Sequence, residues 1–334
     1  MKISAIVPFY NSEETLRDCL ECIHSAEPSP NEVILIDDCS TDASASIAEN
    51  FPFKIIHNDI NRERSICRNI GKDAAEGDII VFIDSDVLID RNVFGVIRSA
   101  FEKDPSLAGL SGIPGMESTY SNFSSRFKAL YMNFVLTRHS GPVEYAHGCI
   151  QAYRADPVFG KDGMEFKDYV PIEDIQFGLA LCELGEKILL TSQISFVHKR
   201  YYSLLDLVKN DFLIPYKFAF LILAFKKISS SARKGSFAHA SLLQTAGLGF
   251  ACLFLFSIII STIFGFSPFS STFCLVTLVG NLLCNFPFIA FLYKHKGLVW
   301  TLKASLFNLF DQIIMACGMM CGTLGYFLRK SSFP

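Results

Sequence analysis

Val33-Ile34-Leu35-Ile36-Asp37-Asp38-Cys39-Ser40-Thr41-Asp42 and, further along, Ile79-Ile80-Val81-Phe82-Ile83-Asp84-Ser85-Asp86 each carry a short apolar run straight into carboxylates. Uninterrupted runs of Ile, Leu and Val read as strands buried on both faces, the habit of a parallel sheet. Carboxylates at the carboxyl ends of such strands face the crevice where open α/β sheets bind ligands. They repel a bare diphosphate, so a nucleotide site built on them needs a divalent cation in between.

The surrounding pattern agrees. Expected strands at 3–7, 33–36, 55–57 and 79–83 alternate with amphipathic helices at 13–24, 43–50, 65–75 and 93–101. This succession implies an α/β fold with a mainly parallel sheet flanked by helices. Asn11 with Glu14 three residues on has the form of a capping box, and Thr41 or Asp42 can cap the second helix. Between 111 and 168 the alternation fails. Tyr120, Phe123, Phe127, Tyr131 and Phe134 there form a stripe at helical spacing, suited to a membrane surface, an acceptor or the core. A helix at 174–184 ends at Gly185, and strands at 188–190 and 194–197 close the soluble fold.

The 334 residues carry a net charge of -3, which gives no basic footprint for nucleic acid. Half of them are hydrophobic, unevenly: from 238 to 328 the only charged side chains are Lys294, Lys296, Lys303 and Asp311. Eleven cysteines are scattered without a framework, and the N-terminus does not resemble a secretory signal, so a reducing cytosolic setting is expected. Cys19-x-x-Cys22 has no second pair to complete a zinc site and reads as core packing.

The expected organisation is a catalytic domain at 1–200, interfacial helices and a basic linker at 201–237, and a transmembrane region at 238–334. Apolar stretches at 242–264, 273–292 and 304–328 give two to three spans, the third interrupted by Asp311 and Gln312. Gly318-x-x-x-Gly322 permits close helix packing. Lys226, Lys227, Arg233 and Lys234 before the first span and Lys294, Lys296 and Lys303 after the second orient the catalytic part to the cytoplasm. Arg329 and Lys330 oppose this if the third segment crosses fully; a re-entrant helix removes the conflict.

Val7-Pro8-Phe9-Tyr10-Asn11, the acidic cluster at 37–42, the segment 61–71 with Arg68-Asn69-Ile70-Gly71, Asp84-Ser85-Asp86 and Glu173-Asp174 together resemble the family 2 glycosyltransferases of GT-A fold, over about residues 1–200. The resemblance implies an inverting enzyme that moves a sugar from a nucleoside-diphosphate donor to an acceptor, with Mg²⁺ or Mn²⁺. On its terms Pro8, Tyr10, Asp37 and Asp38 line the nucleobase pocket, and Arg64 and Arg68 offer guanidinium forks to phosphate or base. Asp84 contacts ribose or the metal, Asp86 ligates the metal, and His198 is a further candidate for metal or diphosphate. Asp84 and Asp86, two apart on an extended backbone, are expected to share a face. Asp174 is the expected general base. A lipid phosphate acceptor is already ionised and needs no base, so the Glu-Asp pair favours a hydroxyl acceptor, lipid-linked or glycan, at the membrane. His147-Gly148-Cys149 with Arg154 resembles the acceptor-side segment.

Two rival readings stand beside this one. A polyprenyl-phosphate glycosyltransferase shares the fold, but the 61–71 segment here differs from the Gly-Leu-Gly of dolichol-phosphate mannose synthases. The other is a catalytically silent membrane protein that only binds nucleotide. The Gln-x-x-Arg-Trp of processive synthases is absent, Trp300 being the sole tryptophan.

Overall fold

The structure, a computed structural model, describes residues 1–144, 146, 148–160, 163–167, 173–224, 236–237 and 240–328. The chain divides into two compact units, Met1–Tyr201 and Tyr202–Pro334. The first is built on one nine-stranded sheet. Strands β1 (Ile3–Phe9), β2 (Glu32–Asp37), β3 (Lys54–His57) and β4 (Ile79–Ile83) form its parallel half in the order β3-β2-β1-β4. Helices α1 (Leu16–His24), α2 (Ser44–Ala48) and α3 (Glu63–Asp73) connect them. The alternation within β1 shows why both faces need cover: Ile3, Ala5 and Val7 pack with Leu16, Cys19, Leu20 and Ile23 of α1, whereas Ile6 joins Ile34, Ile36 and Cys67 on the opposite face.

The second half of the sheet is mixed. β5 (Val87–Ile89), β6 (Leu107–Pro114), β7 (Gly141–Val143), β8 (Ile150–Arg154) and β9 (Lys187–His198) complete it, with α4 (Val93–Lys103), α5 (Phe123–Arg138), α6 (Ala155–Val158) and α7 (Glu173–Glu183). β8 lies antiparallel between β4 and β6, and β9 pairs with β6, β5 and β7. β9 runs continuously where the sequence reads as two strands, because a register shift against β6 absorbs the polar residues in its middle. Within the aromatic stripe Phe127 and Phe134 are buried and α5 packs on β6 and β9, so the core claims that part of it.

Two local expectations change. The helix after β1 begins at Leu16 with no side-chain cap, so Asn11 and Glu14 form no capping box. Asn11 Oδ1 instead accepts the Thr41 amide at 2.8 Å, and Glu13 Oε2 accepts the Ala43 amide at 3.1 Å. Because β1 and β2 are paired, their exit loops lie side by side, and each loop's polar groups satisfy the other's backbone. Asp42 does serve the second helix, accepting the Ser44 amide at 2.9 Å. Asp84 and Asp86 lie not on an extended strand but in a turn, closed by the Val87 amide on the Asp84 carbonyl at 3.1 Å. The face-sharing argument for them therefore gives way.

In the second unit α8 (Leu204–Ala224) is one helix, followed by the short hairpin β10 (Ser236–Phe237) and β11 (Ala240–Ser241). The basic linker expected at 226–234, and Arg329 and Lys330, lie outside the described residues. Helix α9 (Leu242–Phe264) starts on a full capping box from Ser241 and Gln244. The helical run Pro268–Leu328 is broken at Gly297, φ 76°, into α10 (268–296) and α11 (298–328). By length and composition, Leu242–Phe264 and Pro268–Leu328 are apolar enough to cross a bilayer.

These helices are joined by amides. Asn281 Nδ2 donates to Gly247 O at 2.8 Å and to Gln312 Oε1 at 2.7 Å, and Gln312 Nε2 donates to Asn285 Oδ1 at 2.9 Å. Asp311 has no accessible surface, so it sits inside the helix packing rather than at an exposed boundary. Gly318 and Gly322 meet the backbone carbonyls of Phe212 and Tyr216, leaving no room for a Cβ. Gly318→Leu is therefore expected to pry α8 from α11 and lower stability by about 1–3 kcal/mol or more, read as a fall in melting temperature of the full chain in detergent; an unchanged melt would contradict the close crossing.

Candidate active site

The parallel register aligns Phe9 of β1 with Asp37 of β2, and Asp37 with His57 of β3, so three strand ends form one wall. Pro8 lies within β1, and Tyr10, half exposed, follows it at the mouth. Asp37 accepts the Ser40 amide at 3.0 Å and meets His57 Nδ1 at 3.0 Å. Asp38 is buried with three donors on its carboxylate: Asn58 Nδ2 and the Arg62 amide, each at 2.8 Å, and the Glu63 amide at 3.1 Å. It thus fixes the start of α3, the capping role that competes with base binding. Asn11 and Cys39, in the loops around this wall, and Glu63, the first residue of α3, have φ of 46°, 66° and 69°. Non-glycine residues in that region carry strain, which is stored where surrounding bonds over-determine the backbone.

Asp38 sets the beginning of α3 and thereby aims its two arginines. Arg68 has no accessible surface. Its Nη1 donates to Glu173 Oε1 at 3.2 Å, and its Nη2 donates to Asp84 Oδ1 at 3.2 Å and to Gly148 O at 3.4 Å. Arg68, expected as a fork toward the donor, is sealed from solvent here, and its fork is spent on the two carboxylates and the Gly148 carbonyl. Arg64, one turn earlier, stays exposed above the same pair, with Nη1 3.7 Å from Asp84 Oδ2 and 3.9 Å from Glu173 Oε1. Asp84 above all, helped by Glu173, Asp174 and Asp86 and opposed by burial, holds the Arg64 guanidinium even more firmly protonated than usual.

Antiparallel pairing supplies the other side. β4 against β8 sets the Asp84 amide on the Cys149 carbonyl at 3.0 Å, which brings Gly148 to the site. β5 against β9 pairs Val87 with His198, and His198 Nε2 meets Asp86 Oδ2 at 3.0 Å. Burial pushes the Asp86 carboxyl up, but the His198 hydrogen bond and charge, with Arg200 and Arg64, carry it below the ordinary value. Asp174 stands in the first turn of α7, where its Oδ1 accepts the Ile175 amide at 2.9 Å. Burial, reinforced by the charge of Glu173 and opposed by Arg68, raises its pKa to about 6. A Cβ on residue 148 would come 2.7 Å from Asp174 Oδ2, so only glycine leaves that carboxylate its place.

Some of these partners carry no signal in composition or spacing. Asn69 exchanges two hydrogen bonds with the backbone of Phe166, at 2.9 and 3.0 Å, and Phe166 stacks on Phe177 at 4.2 Å and beneath Arg68. Ser12 Oγ meets Ser85 Oγ at 3.0 Å, tying the turn at 84–86 to the β1 loop. Arg154 turns away: at the opposite end of β8, it donates to Leu107 O at 2.8 Å and stacks on Phe101. His147 lies outside the described residues.

Among the described residues no three His, Cys, Asp or Glu side chains already converge as a metal site. The donor set nevertheless fits a hard cation that shares its shell with phosphate and water: Asp84 and Asp86 offer partly exposed carboxylate oxygens on one turn. The arrangement can therefore offer oxygens to a hard cation on one side and take up a proton at Asp174 on the other.

The chain resembles known proteins in sequence and in fold. Residues 4–158 match the family model described as Glycosyl transferase family 2. A Bacillus subtilis protein named "Putative glycosyltransferase EpsH" is 40% identical over 93 residues, 26% of this chain and 27% of that protein. The poly-beta-1,6-N-acetyl-D-glucosamine synthase of Staphylococcus epidermidis is 30% identical over 123 residues, 36% of this chain and 30% of that one. The chain thus spans under a third of the length of these relatives. A mannosyltransferase from Pyrobaculum calidifontis, solved with GDP-Man and Mn²⁺, superposes over 99% of this chain and 87% of its own at TM-score 0.52 and 14% identity, a likeness of fold.

Glu63, at φ 69°, gives a direct test of the strained loop. Glycine normally costs about 1 kcal/mol in a helix, but here it relieves a left-handed residue worth about 1–2 kcal/mol. Glu63→Gly is thus expected to be neutral or stabilising by up to about 1 kcal/mol in a denaturant melt; a loss of 1 kcal/mol would reject it.

Proposed function

This chain carries a family 2 glycosyltransferase domain, and from that premise we propose that it moves a sugar, with inversion, from a nucleoside-diphosphate donor to a hydroxyl of a lipid-linked or glycan acceptor at the cytoplasmic face of a membrane. Such a reaction belongs to surface polysaccharide or glycolipid synthesis. The observation that carries it is the turn Asp84-Ser85-Asp86 joined through Arg68 to Glu173-Asp174. Burial raises the Asp174 pKa to about 6, which suits a group that must be ionised near neutrality and still accept a proton.

Each residue then has a role. Pro8 and Tyr10 line the base, and Asp37 and Asp38 hold the loops that shape that pocket. Asp84 and Asp86 would hold Mg²⁺ or Mn²⁺, with His198 against Asp86. The ion, when bound, neutralises charge on the departing diphosphate. Arg64 faces the donor, and Arg68 positions Asp84 and Glu173. Asp174 takes the acceptor proton as the oxygen attacks the anomeric carbon. The half-buried Glu-Asp pair at the start of α7 supports a hydroxyl acceptor over an ionised lipid phosphate. The apolar helices of the second unit support membrane attachment, and Lys294, Lys296 and Lys303 support the cytoplasmic orientation.

Asp174→Asn is expected to bind donor normally and lose transfer by about 10²–10⁴-fold. A folded pKa above the unfolded one means that the native state binds more protons between about pH 4 and 6, so this carboxylate lowers stability as pH rises through that window. The Asn variant should hence melt higher at pH 7, by about 1–3 kcal/mol. Wild-type turnover should fall about tenfold per unit as pH drops below 6. Full transfer by Asp174→Asn rejects the assignment.

Asp86→Ala is expected to abolish the Mn²⁺-dependent rise in melting temperature given by nucleotide. A panel of nucleotide sugars assayed for hydrolysis with Mn²⁺ separates the rival: binding without turnover of any donor would mark a silent nucleotide-binding protein.

A further inference from the structure

We propose that Arg64 is an internal counter-cation. It neutralises Asp84 and Glu173 while the cleft is free of donor, yields Asp84 to the divalent cation when a nucleoside diphosphate arrives, and turns its guanidinium to the phosphates. The inference rests on the donor and metal reading above and adds an order of binding to it.

The two arginines over this carboxylate pair are held in different ways. Arg68 is sealed from solvent and hydrogen-bonded to both Asp84 and Glu173, so moving it would orphan buried donors. Arg64 is 57% exposed, and its 3.7 and 3.9 Å approaches to the same carboxylates exceed hydrogen-bond reach. Charge alone holds it, and water can take over its donors when it leaves. It stands on the first turn of α3, whose start is pinned by Asp38, so its backbone stays while the side chain swings.

A divalent cation on Asp84 would sit about 2.0–2.6 Å from a carboxylate oxygen. That puts it within a few ångströms of the guanidinium as now placed, and like charges so close in a half-buried cleft repel strongly. Metal and Arg64 therefore compete for Asp84. A diphosphate removes the conflict, since its oxygens accept both the metal and a guanidinium fork. Metal alone consequently binds poorly, and metal with nucleotide binds well.

The test is calorimetric and needs no turnover. Mn²⁺ alone is titrated into the full-length wild type, Arg64→Ala and Arg64→Lys in detergent; UDP, GDP, CDP and dTDP are then titrated at saturating Mn²⁺. Arg64→Ala should bind Mn²⁺ alone about tenfold more tightly and the preferred nucleotide about tenfold more weakly, while Arg64→Lys stays near wild type for Mn²⁺. Circular dichroism checks that the variants, altered at an exposed position, are folded. Wild-type binding of both ligands with no gain in Mn²⁺ affinity in Arg64→Ala overturns the inference and leaves the donor reading standing. A wild type that binds neither Mn²⁺ nor any of the nucleotides brings down both.

Discussion

A guanidinium with no accessible surface must be matched charge for charge, and Arg68 is matched by Asp84 on one side and Glu173 on the other. Breaking such a buried pair by removing one partner costs about 3–5 kcal/mol, because the remaining charge stays desolvated. That penalty locks together elements far apart in sequence: α3, the end of β4 and the beginning of α7. It also decides where Asp174 lies, since it follows Glu173 directly and has its carboxylate against Gly148, whose carbonyl Arg68 also holds. Packing enforces the same geometry, with Phe166 filling the space between the guanidinium and Phe177.

Around this pair the walls are loops tied to one another as well as to the starts of their helices. The exits of β1 and β2 exchange amide and side-chain bonds through Asn11, Glu13, Asp42 and Ser44, and Asp38 gathers the start of α3. Three left-handed non-glycine residues persist within these bonds, so strain is concentrated where a ligand would enter and is offset by the rigid strand ends behind it. Over that surface Arg64 is the exposed cation, held to the carboxylates without a hydrogen bond among the described residues.

The second unit meets a different constraint. Its long apolar helices are candidate membrane spans, and helices in such a setting are matched by small residues and interhelical hydrogen bonds rather than by hydrophobic contact. Gly318 and Gly322 provide the first against α8, and the amides of Asn281, Asn285, Asn308 and Gln312 provide the second. Gln312, which looks like an interruption of a span, is thus a tie between helices, and Gly297 turns one long apolar run back on itself.

Periodicity and strand-end chemistry made the parallel half of the sheet legible in the sequence, because β1, β2 and β4 are buried on both faces and the strands are joined by βαβ connections. The identity of the acidic residues on the cleft, and the apolar character of residues 242–328, were legible for the same local reason. Pairings across long sequence separations were not. Nothing local to Arg68 tells that it lies under Asp84 and Glu173, that β8 would deliver Gly148 to Asp174, or that Asp38 would be consumed by an α3 amide pair and Asn11 by a neighbouring loop. Sequence alone determined which side chains stand at the strand ends, since alternation and turn chemistry act over a few residues. Only the tertiary structure decided which of them face a ligand and which face each other, since burial and charge matching act between segments that the chain brings together only when it folds.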